Sequence, residues 1–246
     1  MLTTWDMRLA TMIKATSLTL ALSLMAAPPA AAAPDFTIEQ VLSAPFPSSL
    51  VAAGQAGRVA WVNNKGGSRN VWIAEPGAGG TYAARPISSY VGDDGFDLGE
   101  LAWSPDGRQV VYSRGGSLEG GGPVNVLSRA SGAVGQEIWV ASVDRTAPRR
   151  LGPGHAPAVS PRGDAVAYIL ADQIWTAPLA PGGQPEQLIH DRGRAQAIAW
   201  SPDGARLAFV SSRGDHSLVG VYDTAAKTIV WLGPSVDRDM FPEWSP

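Results

Sequence analysis

Short apolar runs with a two-residue period recur along this chain, each released from a tight turn. In Val59/Trp61, Val110/Tyr112, Val166/Tyr168 and Leu207/Phe209 the bulky residues alternate with Ala60, Val111, Ala167 and Ala208. Successive side chains of an extended strand point to opposite sides. Each run therefore predicts a β-strand with one bulky face and one small face. Ahead of three of them stands a four-residue tip: Ser104-Pro105-Asp106-Gly107, Ser160-Pro161-Arg162-Gly163 and Ser201-Pro202-Asp203-Gly204. Proline presets φ for a turn and glycine takes the left-handed position that reverses the chain, so the tips predict hairpins. A degenerate copy, AAGQAGRVAWV from Ala52, has lost the Ser-Pro-Asp. A second strand follows each alternating run, at residues 70–74 (NVWIA), 137–141 (EIWVA) and 173–177 (QIWTA), with Val219-Gly220-Val221-Tyr222 as a weaker copy. Short outer strands are expected near Ile87, Leu151, Leu188 and Trp231.

The tip serines are Ser104, Ser160, Ser201 and Ser245, spaced by 56, 41 and 44 residues. Four strand signals at such a period suit one four-stranded propeller blade, about 40 to 50 residues per repeat. The fold expected is an all-β propeller of four blades, at roughly residues 49–97, 98–154, 155–193 and 194–240, with residues 241–246 opening a fifth. Propellers close with 4 to 8 blades and the sequence stops inside its fifth tip, so the propeller is expected to be incomplete and the gene to continue. Stacking should set the bulky face of one blade on the small face of the next. Three tryptophans at one repeat position, Trp72, Trp139 and Trp175, are then expected as buried packing between blades; the sharper alternative is a row of rings that stacks on carbohydrate.

The start of the chain is a separate object. Arg8 and Lys14 precede an apolar stretch at residues 15–27 (ATSLTLALSLMAA) and a small-residue tail up to Ala33. This is the pattern of a cleaved signal peptide. The stretch is short of the roughly 20 apolar residues a membrane span needs, and Pro28 and Pro29 close it. Cleavage is expected at Ala32 or Ala33, leaving an exported, periplasmic or secreted protein with no membrane span.

Composition narrows the function further. Lys+Arg 19 against Asp+Glu 22 gives a net charge of -3, which offers no basic face for nucleic acid. Cys 0 removes a disulfide framework, a thiol nucleophile and any cysteine-ligated metal. His155, His190 and His216 stand at spacings unlike those of a metal site, and the run Asp93-Asp94-Gly95-Phe96-Asp97 lacks the alternating oxygen ligands of a calcium loop. No Gly-Xaa-Ser-Xaa-Gly elbow and no phosphate-binding loop occurs; Gly115-Gly116-Ser117-Leu118-Glu119 lacks the final glycine. No catalytic residue, metal site or cofactor is expected in this stretch.

The run FTIEQVLSAPFPSSLVAAGQAGRVAWVNNKGGSRNVWIAEP at residues 36–76, followed by the Ser-Pro-Asp-Gly blades, resembles the N-terminal propeller of secreted serine peptidases of the prolyl oligopeptidase family, which includes dipeptidyl and acylaminoacyl peptidases. The blades alone also resemble TolB-type periplasmic propellers, in which a separate α/β domain precedes the blades where this chain has TIEQVLS. The first resemblance implies a propeller that gates peptide access to an α/β-hydrolase domain absent from this chain. The second implies a stand-alone propeller that binds periplasmic proteins.

One interval breaks the repeat. Val110 and Ile138 are 28 residues apart, where the other blades have 8 to 12. The inserted stretch, SRGGSLEGGGPVNVLSRASGAVGQE, carries Arg114, Glu119 and Arg129 on a glycine-rich loop, and long loops in compact folds are often functional. In dipeptidyl-peptidase relatives an acidic propeller segment holds the substrate's free amine. That resemblance makes Glu119, with Arg114 and Arg129 beside it, the candidate for substrate gating, although the paired acids of some relatives are absent.

Overall fold

The computed structural model describes residues 36–116 and 135–245. Among these residues, after a one-turn helix, α1 (Ile38–Leu42), sixteen strands form four antiparallel sheets. The first blade is β1 (Phe46–Ala52), β2 (Val59–Lys65), β3 (Ser68–Pro76) and β4 (Tyr82–Pro86); the second is β5 (Asp97–Trp103), β6 (Gln109–Gly115), β7 (Gln136–Ser142) and β8 (Arg149–Pro153). The third is β9 (His155–Val159), β10 (Ala165–Leu170), β11 (Gln173–Pro178) and β12 (Glu186–Ile189), and the fourth β13 (Arg194–Trp200), β14 (Arg206–Ser212), β15 (Ser217–Asp223) and β16 (Thr228–Leu232). Within each sheet the strands follow chain order. First strands of successive blades lie side by side, β1 by β5, β5 by β9 and β9 by β13, and so form the inner wall.

The blades stack as the alternation predicts. Ala60 and Val62 of the first blade share a core with Val110 and Tyr112 of the second; Val111, Ile138 and Val140 of the second meet Val166 and Tyr168 of the third; Ala167 and Ile169 of the third meet Leu207 and Phe209 of the fourth. These residues are at most 4% exposed, so each interface is dry apolar packing, the main favourable term in holding the arc together.

The repeated tryptophans correct the expectation in degree. Trp72, Trp139 and Trp175 are half-buried, because each lies on the third strand, directly across from Trp61, Tyr112 and Tyr168 on the second, and those inner partners take the centre of the face. Trp139 and Trp175 still pack against the cores between blades. They stand on different interfaces and form no row for a sugar. In the fourth blade Gly220 occupies the tryptophan position and pairs with Trp231 on β16. A Cβ at Gly220 would lie 2.7 Å from the Phe209 ring and 3.0 Å from Trp231, whose indole meets the Phe209 ring edge-on at 5.7 Å. The filler has moved by one strand and the volume is kept.

Two further devices recur in phase with the tips. Ser49, Glu100, Ala156 and Ala197 each stand four positions before the tip serine or its equivalent, with φ of 55°, 51°, 51° and 48°, at a register shift in the innermost strand. These are β-bulges, which bend a strand and increase its twist, and non-glycine residues hold the left-handed conformation there at a cost of about 1–3 kcal/mol each. The second device is an indole latch. Trp103 and Trp200 donate to the carbonyls of Val51 and Ala158 at 3.3 and 3.0 Å, each tying a first strand to the one before it, and Trp244, beyond β16, donates to the Ala199 carbonyl of β13 at 3.0 Å.

Candidate functional site

An up-and-down sheet sends its turns to two ends. The Ser-Pro tips and the turns between third and fourth strands share one end; the loops between second and third strands, with the connections from blade to blade, share the other. At the tip end each polar group has a repeated structural task. The Ser104 hydroxyl donates to Asp106 Oδ1 at 2.6 Å and accepts from the Gln109 amide at 2.9 Å; Ser201 repeats this with Asp203 and Arg206 at the same distances. The serine hydroxyl bond holds the Asp106 and Asp203 carboxyls below the usual aspartate range. In the third blade Arg162 replaces the aspartate and reaches the next tip, donating to the Asp203 carbonyl at 2.9 Å, while Arg58 does the same for the Gly107 carbonyl. The tip acids and arginines are fasteners.

The other end is irregular, and it holds Arg114. This residue lies near the end of β6, its guanidinium 3.9 Å from the centre of the Tyr90 ring and 4.8 Å from that of Phe96, and it is paired with Asp94. Only 13% of the side chain is exposed. The Tyr90 and Tyr112 hydroxyls are 2.7 Å apart, and burial raises the pKa of both. The fourth blade repeats the clamp. Asp191, ten residues before Ser201 as Asp94 is before Ser104, accepts from the Ser211 hydroxyl and pairs with Arg213 at 3.2 Å, and Arg213 lies 5.2 Å from the centre of the Trp231 ring. Burial alone would raise the Asp191 pKa, but the Ser211 hydroxyl, the Gly193 and Arg192 amides and the Arg213 charge together hold it below the ordinary value.

Beside Arg114, between the second and third blades, opens a cleft of about 530 Å³ lined by Phe96, Glu137, Arg150, His155 and Asp172 among others. Glu137 and Arg150 pair across its wall at 2.7 Å, and both are well exposed. Gly115 and Gly135 stand at its edge, at the neck of the insertion. Of the residues singled out from sequence, Arg114 is thus placed at the cleft, whereas Glu119 and Arg129 fall outside the described residues. The signal peptide at residues 1–33 also falls outside them.

The remaining candidate chemistry is dispersed or engaged. Asp93 and Asp94 accept from the Gly95 and Phe96 amides and pair with Arg69 and Arg114, as a loop between blades requires. His216 contacts Asp215 at 2.7 Å and His190 contacts Gln187 at 3.2 Å. Among the described residues no three His, Cys, Asp or Glu side chains converge as metal ligands, and no helix is long and apolar enough to cross a membrane. Sequence reading passed over Asp94 and Asp191 as a repeat pair; their common distance from the tip serine was the available signal. It also passed over Glu100, whose carboxylate accepts from Ser113 at 2.5 Å and from the Ala156 amide of the next blade at 2.7 Å, because nothing local to it stands out.

No family model and no curated protein matches the chain. Solved structures do. TolB from Acinetobacter baumannii superposes with a TM-score of 0.53 at 19% identity, over 78% of this chain and 44% of that one. A TolB-like protein from Agrobacterium tumefaciens gives 0.52 at 19% identity, over 82% of this chain and 67% of that one. A structure from a study of two prolyl endopeptidases gives 0.55 at 17% identity, over 80% of this chain and 32% of that one. The chain therefore spans 44% of the length of the A. baumannii protein. The fold resembles TolB-like and prolyl-oligopeptidase-family propeller domains.

Proposed function

We propose that this is an exported, non-catalytic propeller that binds a protein partner at its loop end, through the cleft between the second and third blades. The observation that carries this reading is the contrast in engagement. At the tip end Ser104, Ser201, Asp106, Asp203, Arg58 and Arg162 are tied into turns and neighbouring tips, whereas the loop-end cleft joins a half-exposed ring, Phe96, to the exposed ion pair of Glu137 and Arg150. Aromatic and arginine side chains around a concave surface are the usual makings of a protein-binding patch. The likeness to the TolB structures supports the same class of role at the level of fold.

A second reading has its own support: the chain as the propeller portion of an exported serine peptidase, gating peptides toward a hydrolase domain. The prolyl endopeptidase structure matches the fold over 80% of this chain. In that case the same loop end faces peptide substrate.

The test is site-specific photo-cross-linking of the exported protein. With the photoreactive residue at Arg150 or His155, discrete protein adducts are expected; at Ala225, in a turn of the tip end, none are. Adducts from Ala225 alone, or peptide hydrolysis by the purified chain, would overturn the proposal. Short peptide adducts at the loop end would favour the second reading.

A further inference from the structure

The three seams between blades are not built alike. At the first, the Trp103 indole donates to Val51, Arg58 to Gly107, and Arg85 to the Val143 carbonyl at 2.7 Å. At the third, Trp200 donates to Ala158, Arg162 to Asp203, and the Ala195 amide to Asp172 at 2.8 Å, with Gln173 bonded to both Asp191 and Gly193. The second seam, between β5–β8 and β9–β12, has Val159 where the others have the indole donor. Its tips meet through an apolar contact, a Cβ at Gly163 lying 3.6 Å from Pro105, and among the described residues no tip arginine bonds the neighbouring tip here as Arg58 and Arg162 do elsewhere. Besides its apolar core, this seam has Arg149 donating to the Leu179 carbonyl at 2.5 Å, as Arg85 does to Val143 at the first, the Gly154 amide donating to Gln136 at 2.8 Å, and, on the inner wall, the Ala156 amide donating to the Glu100 carboxylate.

The middle of this seam carries a cost as well. Tyr168 is fully buried there and among the described residues its hydroxyl has no hydrogen-bond partner, whereas the matching hydroxyl of Tyr112 meets Tyr90; at the first seam the unpaired buried donors are Arg85 Nη1 and Trp139 Nε1. An unpaired buried hydroxyl forfeits the bonds it makes with water when the seam opens. Clefts of about 530 and 540 Å³ notch the same seam, one at each end.

We propose that the second seam is the compliant joint of the propeller, the interface that opens first and most often, letting the second and third blades part while the other two seams stay closed. Opening hydrates the Tyr168 hydroxyl and widens both clefts. This follows whatever the loop-end cleft binds.

Two amides make a matched pair for the test. Gly154 and Ala195 each stand six positions before a tip serine, and each donates at 2.8 Å to the loop end of the preceding blade, Gly154 to Gln136 at the start of β7 and Ala195 to Asp172 just before β11. Hydrogen exchange followed residue by residue by NMR on the full chain should give Gly154 a protection factor at least tenfold below that of Ala195, since protection tracks local opening. Equal or greater protection at Gly154 would overturn the proposal. Repair should reverse the difference. Each latch indole bonds the carbonyl two residues before the preceding tip serine or its equivalent, so Val159→Trp directs its donor at Ala102 and should raise protection at Gly154 about tenfold while leaving Ala195 unchanged. Should that variant fail to fold, a cross-link serves. A Cβ at Gly152 lies 3.7 Å from Cγ of Pro185 across the seam, and the chain has no cysteine of its own. Oxidised Gly152→Cys/Pro185→Cys should protect Gly154 where the reduced form does not. No change on oxidation would also overturn the proposal.

Discussion

The two ends of the blades follow different rules. At the tip end one solution is repeated: a buried serine, an aspartate or arginine, a glycine at positive φ, and tips packed side by side. At the loop end the blades share less. One carries an insertion, two carry an aspartate–arginine clamp against an aromatic ring, and the cleft beside Arg114 breaks the row. Repetition at one end secures the stack and leaves the other end free to vary, which is where a repeat protein places its binding surface.

The comparison breaks most visibly at glycine. Gly107 at a tip has φ of 64°, and a Cβ there would stand 2.5 Å from Ala56 of the neighbouring tip; Gly92 at the loop end has φ of 73° and open space around it. Gly107→Ala should destabilise by about 3 kcal/mol, combining strain with overpacking, and Gly92→Ala by about 1 kcal/mol from strain alone. Denaturant melts measure both, and equal losses would erase the distinction.

Next in size is the tip serine. Ser104 is 3% exposed and makes bonds as donor and acceptor, so Ser104→Ala should cost about 1–2 kcal/mol by leaving the Gln109 amide unpaired. Substituting the exposed loop-end Ser89 should cost little, within about 0.5 kcal/mol.

A smaller contrast lies between equivalent tyrosines. Tyr112→Phe strips Tyr90 of its partner and should cost about 1 kcal/mol, whereas Tyr168→Phe removes an unpaired hydroxyl and should be neutral or stabilising by about as much. Losses of the same sign in both would contradict the account of the second seam.

The least effect is a pH dependence at the loop end. The Asp191 pKa is lowered in the folded state, so its contribution is complete above the ordinary aspartate value, about 3.9, and is lost as pH falls through the lowered one. Thermal melts between about pH 5 and pH 2 should therefore fall less steeply in Asp191→Asn than in the native chain. Parallel curves would remove the clamp from the acid response.

Much of the fold was legible because a period-two pattern and a Ser-Pro-Gly tip report the second strand, its face and its hairpin together. The stacking of Ala60 on Tyr112, Val111 on Tyr168 and Ala167 on Phe209 follows from that pattern alone. The bulges at Glu100, Ala156 and Ala197 were invisible, since no glycine marks them and the positive φ is imposed by the curvature of the inner wall. Trp231 stands on the outer strand expected for it, but its filling of the space beside Gly220 appears only once the strands are paired. The candidate site was legible only at Arg114. Its partners Tyr90, Asp94 and Phe96 come from a connection between blades, and Glu137, Arg150 and His155 reach the cleft from three separate strands, a convergence that only the stacked arc creates.

The central claim is that the loop end binds and the tip end only holds. Its most direct measurement is the Kd, by calorimetry, of the protein captured by cross-linking at Arg150, for the native chain and two variants. Arg150→Ala should weaken binding about tenfold, roughly 1.4 kcal/mol, while Arg108→Ala at the tip end should leave it unchanged. The reverse ranking would contradict the account.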